Sequence, residues 1–184
     1  MVAGHPANHT ELESGVSDED ATTVWKLADL NGWNYRNFGI GSQTSADILA
    51  RISQVTFFEP TYCLLTVGIN DIALSVPVAT YISNMTSILD TLTTAGIIPI
   101  VTSIYPSSDA YGADRDTFNG QLETLVGGYA TAIYVDCEET LGQYSAAGPA
   151  NNHWNLKTEY NSGDSVHMNA DGYHAAAVLI NSQL

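Results

Sequence analysis

The sequence predicts an α/β fold built on a parallel sheet, and two observations lead to this prediction. Short apolar runs without clean alternation recur along the chain, which is typical of strands buried on both faces. Between these runs lie segments whose apolar residues repeat at helical spacing. An alternation of strand and helix signals indicates β-α-β units, in which parallel strands lie between two layers of helices.

The strand signals set the order of the sheet elements along the chain. The earliest clear run is aromatic and ends at a Gly-Ile-Gly turn, and the next ends at Gly68. Two further runs are rich in isoleucine and valine, which favour strands. The four predicted strands cover residues 33–38, 61–67, 97–103 and 132–136.

The helix signals fall between and after these runs. Ser17 is a plausible N-cap because three acidic residues follow it, and Gly32 is a natural stop. The other helices rest on apolar periodicity. The five predicted helices cover residues 17–30, 45–53, 78–94, 114–126 and 169–182. The stretch 138–163 is expected to be a long irregular loop, and such loops are usually functional or mobile.

Composition restricts the function further. The chain has 184 residues, which is the size of one domain spanning 1–184. It carries 20 acidic and 5 basic residues, for a net charge of −15. Five scattered cations cannot form the basic surface that nucleic acid or an anionic membrane needs, and no apolar run is long enough to span a bilayer. No cofactor and no metal site are expected.

The first residues lack the charged and apolar regions of a signal peptide. We therefore expect a soluble protein that is either cytoplasmic or secreted with its leader removed. The oligomeric state is left open.

Chemistry-bearing residues lie at the expected carboxyl ends of the strands, where ligands bind in such sheets. Gly41-Ser42 follows the first run, and Gly68-Ile-Asn70-Asp71 follows the second. Asp164-Ser-Val-His167-Met-Asn169 precedes the last helix. Taken together and in this order, these motifs resemble the SGNH (GDSL-type) hydrolases over roughly residues 16–184. That resemblance implies a flavodoxin-like three-layer αβα sandwich with a five-stranded parallel sheet.

The residue types also suit acyl transfer on chemical grounds. His167 is the natural general base, and Asp164 can accept its Nδ1–H and stabilise the imidazolium. The amide of Asn70 can donate to a developing oxyanion, and one such donor contributes about 3 kcal/mol. A turn at Gly41-Ser42 can offer a backbone N–H to the same oxygen. The family usually has glycine where Ser42 stands.

The nucleophile is missing from its expected place. The family's first block is Gly-Asp-Ser, and no such block occurs near the N-terminus. In the register that we prefer, Thr10 matches the family's threonine and Asn8 stands where the serine is expected. In the other register, Pro6 holds that position. Neither side chain has a hydroxyl or thiol that His167 could activate.

The resemblance implies an ester hydrolase acting on short acyl groups, often acetyl groups on carbohydrates. The expected partner is a small-molecule or carbohydrate ester, and Trp154, His153 and Tyr105 are candidates for stacking on sugar rings. Because of Asn8, a catalytically silent domain that binds a glycan or a protein partner is the alternative. A chain with an altered first block is a third possibility.

Overall fold

The computed structural model describes residues 2–3, 22–107, 111–146 and 152–184. The strands of this part of the chain are β1 (Val2–Ala3), β2 (Tyr35–Arg36), β3 (Tyr62–Leu65), β4 (Ile98–Thr102), β5 (Ile133–Val135), β6 (Gly142–Ala146) and β7 (Asn152–Leu156). The helices are α1 (Thr23–Asn31), α2 (Ser45–Thr56), α3 (Ile69–Ala73), α4 (Val78–Thr94), α5 (Gly112–Val126), α6 (Glu138–Leu141) and α7 (Ala170–Asn181). A 3-10 turn covers Thr158–Tyr160.

Five of the described strands form one sheet in the order β2-β1-β3-β4-β5. Strands β3, β4 and β5 run parallel, with Cys63 opposite Pro99 and Val101 opposite Tyr134. Helices α4 and α5 make the two connections, because parallel neighbours need a crossover of this length. The predicted order of alternating strands and helices is therefore present around β3, β4 and β5.

The prediction that all five strands are parallel is wrong at β1, which pairs antiparallel with both β2 and β3. The physical reason is its length. Val2–Ala3 can make only a few ladder hydrogen bonds, so pairing alone hardly distinguishes the two directions.

The sheet lies between two helical layers, each with its own core. Alternation along β3 assigns the sides: Cys63 and Leu65 face the layer of α2, α4 and α5, whereas Leu64 faces α1 and α7. Burial on both faces explains why this strand reads as a continuous apolar run. The three-layer αβα arrangement expected from the sequence is confirmed.

The first described helix begins later than predicted. Thr22 is its N-cap and accepts a bond from the Trp25 amide at 3.3 Å. Gly32 ends it with φ 66°, as the sequence suggested. The predicted cap Ser17 lies outside the described residues.

The stretch predicted to be irregular is largely ordered into secondary structure. It contains α6, the antiparallel hairpin β6–β7 and the 3-10 turn. The rings of Tyr144 and Trp154 meet edge to face across this hairpin, with centroids 5.4 Å apart. Cross-strand pairs of this kind stabilise a hairpin whose strands carry no apolar alternation in sequence, which is why the periodicity did not reveal it.

None of the helices that the structure describes has both the length and the apolar character needed to cross a bilayer.

Candidate active site

The loop before α7 brings Asp164 and His167 into direct contact. The Nδ1 atom of His167 lies 2.5 Å from Oδ2 of Asp164, and the His167 amide donates to Oδ1 at 2.8 Å. The Val166 amide donates to the same oxygen at 2.9 Å. Both side chains are open to solvent, with 67% of His167 and 51% of Asp164 exposed. The pair therefore has the geometry of a general base with its orienting carboxylate.

Local hydrogen bonds shape this loop. The Oδ1 atom of Asn161 accepts from the amides of Gly163 at 2.8 Å and Ser165 at 3.0 Å. The Ser162 amide donates to the carbonyl of His167 at 3.0 Å. Asn169 then caps α7 by accepting from the Gly172 amide at 3.0 Å. The chain around the dyad is thus folded back on itself, which fixes the relative position of its two side chains.

The contact with His167 holds the pKa of Asp164 well below its ordinary value, and the two backbone N–H donors add to this effect. The carboxylate therefore stays ionised over the neutral range. An ionised Asp164 favours the tautomer with the proton on Nδ1, because a carboxylate can only accept. That tautomer leaves Nε2 of His167 free to accept a proton.

Asn70 lies in the first turn of α3, directly after β3. Its Nδ2 donates to the carbonyl oxygen of Gln43 at 2.9 Å, and the side chain is half-buried. A primary amide carries two hydrogens, and this bond engages one of them. The bond fixes the plane of the amide, and the second hydrogen can serve an oxyanion.

Gly68 makes this turn possible. Its φ is 131°, a conformation that side chains rarely adopt. A Cβ atom there would meet Cδ1 of Ile104 at 2.4 Å. The glycine of the Gly-x-Asn-Asp motif is therefore required for two reasons: the turn needs a positive φ, and the Gly68 backbone lies against the side chain of Ile104, just after β4.

Gly41 and Ser42 form an exposed turn before α2. Ser42 has φ 65°, in the left-handed region that glycine favours. This backbone conformation accounts for the family's usual glycine at this position. Ser42 directly precedes Gln43, whose carbonyl oxygen accepts from the Asn70 side chain. The two predicted oxyanion donors, Ser42 and Asn70, therefore lie on two segments that are hydrogen-bonded to each other.

The three residues predicted to contact sugar rings differ in their surroundings. The ring of Tyr105 packs against the core between the sheet and the α1/α7 layer, and burial raises its pKa. Its hydroxyl lies 3.4 Å from Oγ1 of Thr66. Trp154 is half-buried on β7, and its carbonyl accepts from Nη2 of the buried Arg115 at 2.5 Å. The side chain of His153 lies outside the described residues.

Asn8 and the competing Pro6 also lie outside the described residues, so the nucleophile position remains a prediction. Within the described ranges, no cluster of three histidine, cysteine or acidic side chains is placed to hold a metal ion. The sequence reasoning missed Ser45, which bonds Asp71, the residue after Asn70, and Asn84, which bonds the Ser45 hydroxyl. No sequence signal links positions that lie so far apart in the chain.

The sheet order, the helical layers and the dyad at the start of α7 define an SGNH-type hydrolase. The sequence profile of the GDSL-like lipase/acylhydrolase family matches residues 9–175. The chain belongs to this family of lipases and acylhydrolases. The match begins one residue after Asn8. Comparison with curated protein sequences gives no match.

Solved structures share the fold. A protein of the G-D-S-L family from Desulfitobacterium hafniense is 17% identical, with a TM-score of 0.78 and 92% of each chain covered. A GDSL-like lipase from Bacteroides thetaiotaomicron is 22% identical, with a TM-score of 0.71, over 87% of this chain and 78% of that one. The family 3 carbohydrate esterase of Clostridium thermocellum is 16% identical, with a TM-score of 0.66, over 89% and 84%.

Proposed function

We propose that the chain hydrolyses carboxylic esters of short acyl groups, with acetylated carbohydrates as the substrate class and His167 as the general base. The observation that carries this proposal is the Asp164–His167 contact at the start of α7. In the reaction, Nε2 of His167 takes a proton from the attacking hydroxyl group as its oxygen bonds to the ester carbonyl carbon. Asp164 stabilises the imidazolium that forms.

The carbonyl oxygen becomes negatively charged as the new bond forms. The second hydrogen of the Asn70 amide and the backbone N–H of Ser42, next to Gly41, are the donors for this oxyanion. When the tetrahedral intermediate collapses, the ester C–O bond breaks and the alcohol leaves with the proton from His167. The acyl group is now bonded to the attacking oxygen. If that oxygen came from water, the carboxylic acid is already formed. If it belongs to a side chain, a water molecule that His167 deprotonates adds to the acyl carbon, the side-chain oxygen leaves with the proton, and the dyad returns to its starting state.

Asn8, at the predicted position of the nucleophile, carries no hydroxyl group. This residue favours the second candidate function, a catalytically silent domain that keeps the crevice and binds a glycan or a protein. A serine-directed fluorophosphonate probe, with the labelled residue mapped by mass spectrometry, distinguishes the cases. Labelling identifies a side-chain nucleophile. Turnover without labelling indicates that His167 activates water. The absence of both labelling and turnover supports the silent domain.

The His167→Ala variant tests the base. We expect hydrolysis of p-nitrophenyl acetate to fall by about 10³-fold or more, because the proton acceptor is removed. His174→Ala is the matched control, since His174 is an exposed histidine on α7, seven positions after His167. The same assay with acetylated xylo-oligosaccharides tests the sugar. Undiminished turnover by His167→Ala would remove this residue from the mechanism.

A further inference from the structure

Asp71, the residue after Asn70, has a fully buried side chain, and among the described residues its carboxylate bonds Ser45 alone. Its Oδ1 accepts from the hydroxyl of Ser45 at 2.6 Å, and its Oδ2 accepts from the Ser45 amide at 2.9 Å. Both residues are 0% exposed. Both oxygens of the carboxylate thus accept hydrogen bonds from Ser45, the first residue of α2, which lies 26 positions earlier in the sequence.

A third helix joins this contact. The Nδ2 atom of Asn84, on α4, donates to Oγ of Ser45 at 2.9 Å. The Ser45 hydroxyl therefore donates one bond and accepts another, which uses its single hydrogen and fixes its direction. The start of α2 is tied through one side chain to both α3 and α4.

The two proposed oxyanion donors lie on the segments that this contact joins. Asn70 bonds the carbonyl of Gln43, and Asp71 bonds Ser45, so two consecutive residues of α3 hold two closely spaced residues of the Gln43–Ser45 segment. Ser42 immediately precedes that segment. A shift of α2 against α3 would therefore change the separation between the Ser42 N–H and the Asn70 amide.

Capping of α2 accounts for only half of the Asp71 contact: Oδ2 satisfies the first-turn N–H of Ser45, whereas Oδ1 accepts from the Ser45 hydroxyl, which is no part of the helix backbone. The helix already has a capping box, in which Thr44 and Asp47 bond each other's backbone N–H groups. Burying a carboxyl group costs free energy even when it is hydrogen-bonded, and an apolar pair of similar volume commonly stabilises a fold as well. The placement of this group beside Asn70 is explained if the contact sets the geometry of the site.

We propose that Asp71 and Ser45, with Asn84 behind them, are a positioning pair that fixes the Asn70 amide relative to the Ser42 N–H. This inference rests on the proposed role of Asn70 in ester hydrolysis. None of the three touches the substrate; they act through Asn70.

The Ser45→Ala variant tests the pair with two independent readouts. We expect kcat to fall about tenfold with KM little changed, because the donors matter most in the transition state. We also expect the side-chain amide NMR resonances of Asn70, identified by their loss in Asn70→Ala, to shift. Ser103→Ala is the matched control: Ser103 is equally buried, and its Oγ accepts from the Cys137 amide instead.

A double variant separates positioning from general stability. If Ser45 acts through Asn70, Ser45→Ala/Asn70→Ala should lose no more activity than Asn70→Ala alone. Ser45→Thr, which keeps the hydroxyl, should recover most of the activity. Should Ser45→Ala fail to fold, Asn84→Ala removes one bond from the same hydroxyl and is expected to shift the same resonances.

The inference is overturned if Ser45→Ala behaves like Ser103→Ala in both readouts, or if the losses of the double variant multiply. If the wild-type protein hydrolyses no ester, the proposed function fails, and the Asn70 resonances alone then decide whether the pair positions this amide.

Discussion

Among single residues, Asp164 links the site to pH. Its pKa is lowered from 3.8 in the folded chain by the contact with His167, so the unfolded state binds a proton more readily. The resulting stability is present above about pH 4 and is lost as the pH falls below that value. Half of the side chain is exposed, so the contribution is small, at most about 1 kcal/mol.

We therefore expect Asp164→Asn to unfold at lower urea concentration than the wild type at pH 7, with the difference shrinking toward pH 3. Glu123→Gln, which removes an exposed carboxylate from the last turn of α5, serves as control for net charge. A difference that is the same at both pH values would show that the pair does not stabilise the fold through ionisation.

Gly68 is the other residue whose role can be isolated. Gly68→Ala combines a positive φ with a Cβ 2.4 Å from Ile104, whereas Gly96→Ala has φ 75° and no atom within 4 Å of its Cβ. We expect Gly96→Ala to cost roughly 1 kcal/mol of unfolding free energy and Gly68→Ala clearly more, since the core side chain must also move. If the two variants lose the same free energy of unfolding in urea, the Ile104 side chain moves aside at no cost.

At the scale of elements, the helices with clear apolar periodicity were predicted closely. The segment predicted over 78–94 coincides with α4, and that over 45–53 falls within α2. Each helix has one face that must be buried, and the apolar residues of that face repeat at helical spacing in the local sequence. The hairpin β6–β7 and the five-residue α3 were missed, because pairing partners and a close backbone approach stabilise them rather than local periodicity.

The same distinction divides the site. Asp164 and His167 could be paired from sequence because three positions on one loop separate them. The tie between Asp71 and Ser45 could not, because it depends on how α2 and α3 pack. The Asn70 side chain was identified from its motif, but the bond that orients it was not.

At the scale of the whole molecule, charge is the property that sequence states most directly. With 20 acidic residues against 5 basic ones, the folded chain repels itself. We expect the Tm at pH 7 to rise when NaCl is increased from 0.02 to 0.5 M. The added salt shortens the screening length from about 20 Å to about 4 Å and so weakens the repulsion between the carboxylates.

The control is the same salt series at pH 4, where partial protonation of the carboxylates should reduce the effect. A Tm that is independent of salt at pH 7 would mean that the charges are too widely spaced to matter. The fold class itself was predictable because layers of helix and sheet are few in kind; the direction of β1 was not.

The loop around the dyad has a consequence for how this site can change over time. The backbone N–H of Asn169 donates to the Tyr160 carbonyl at 2.8 Å, so the proposed base and its carboxylate lie in a loop closed by short-range bonds. The proposed oxyanion side depends instead on how the consecutive helices α2, α3 and α4 pack against one another. Mutations elsewhere can therefore remodel the substrate-facing wall or the N-terminal block while the base persists.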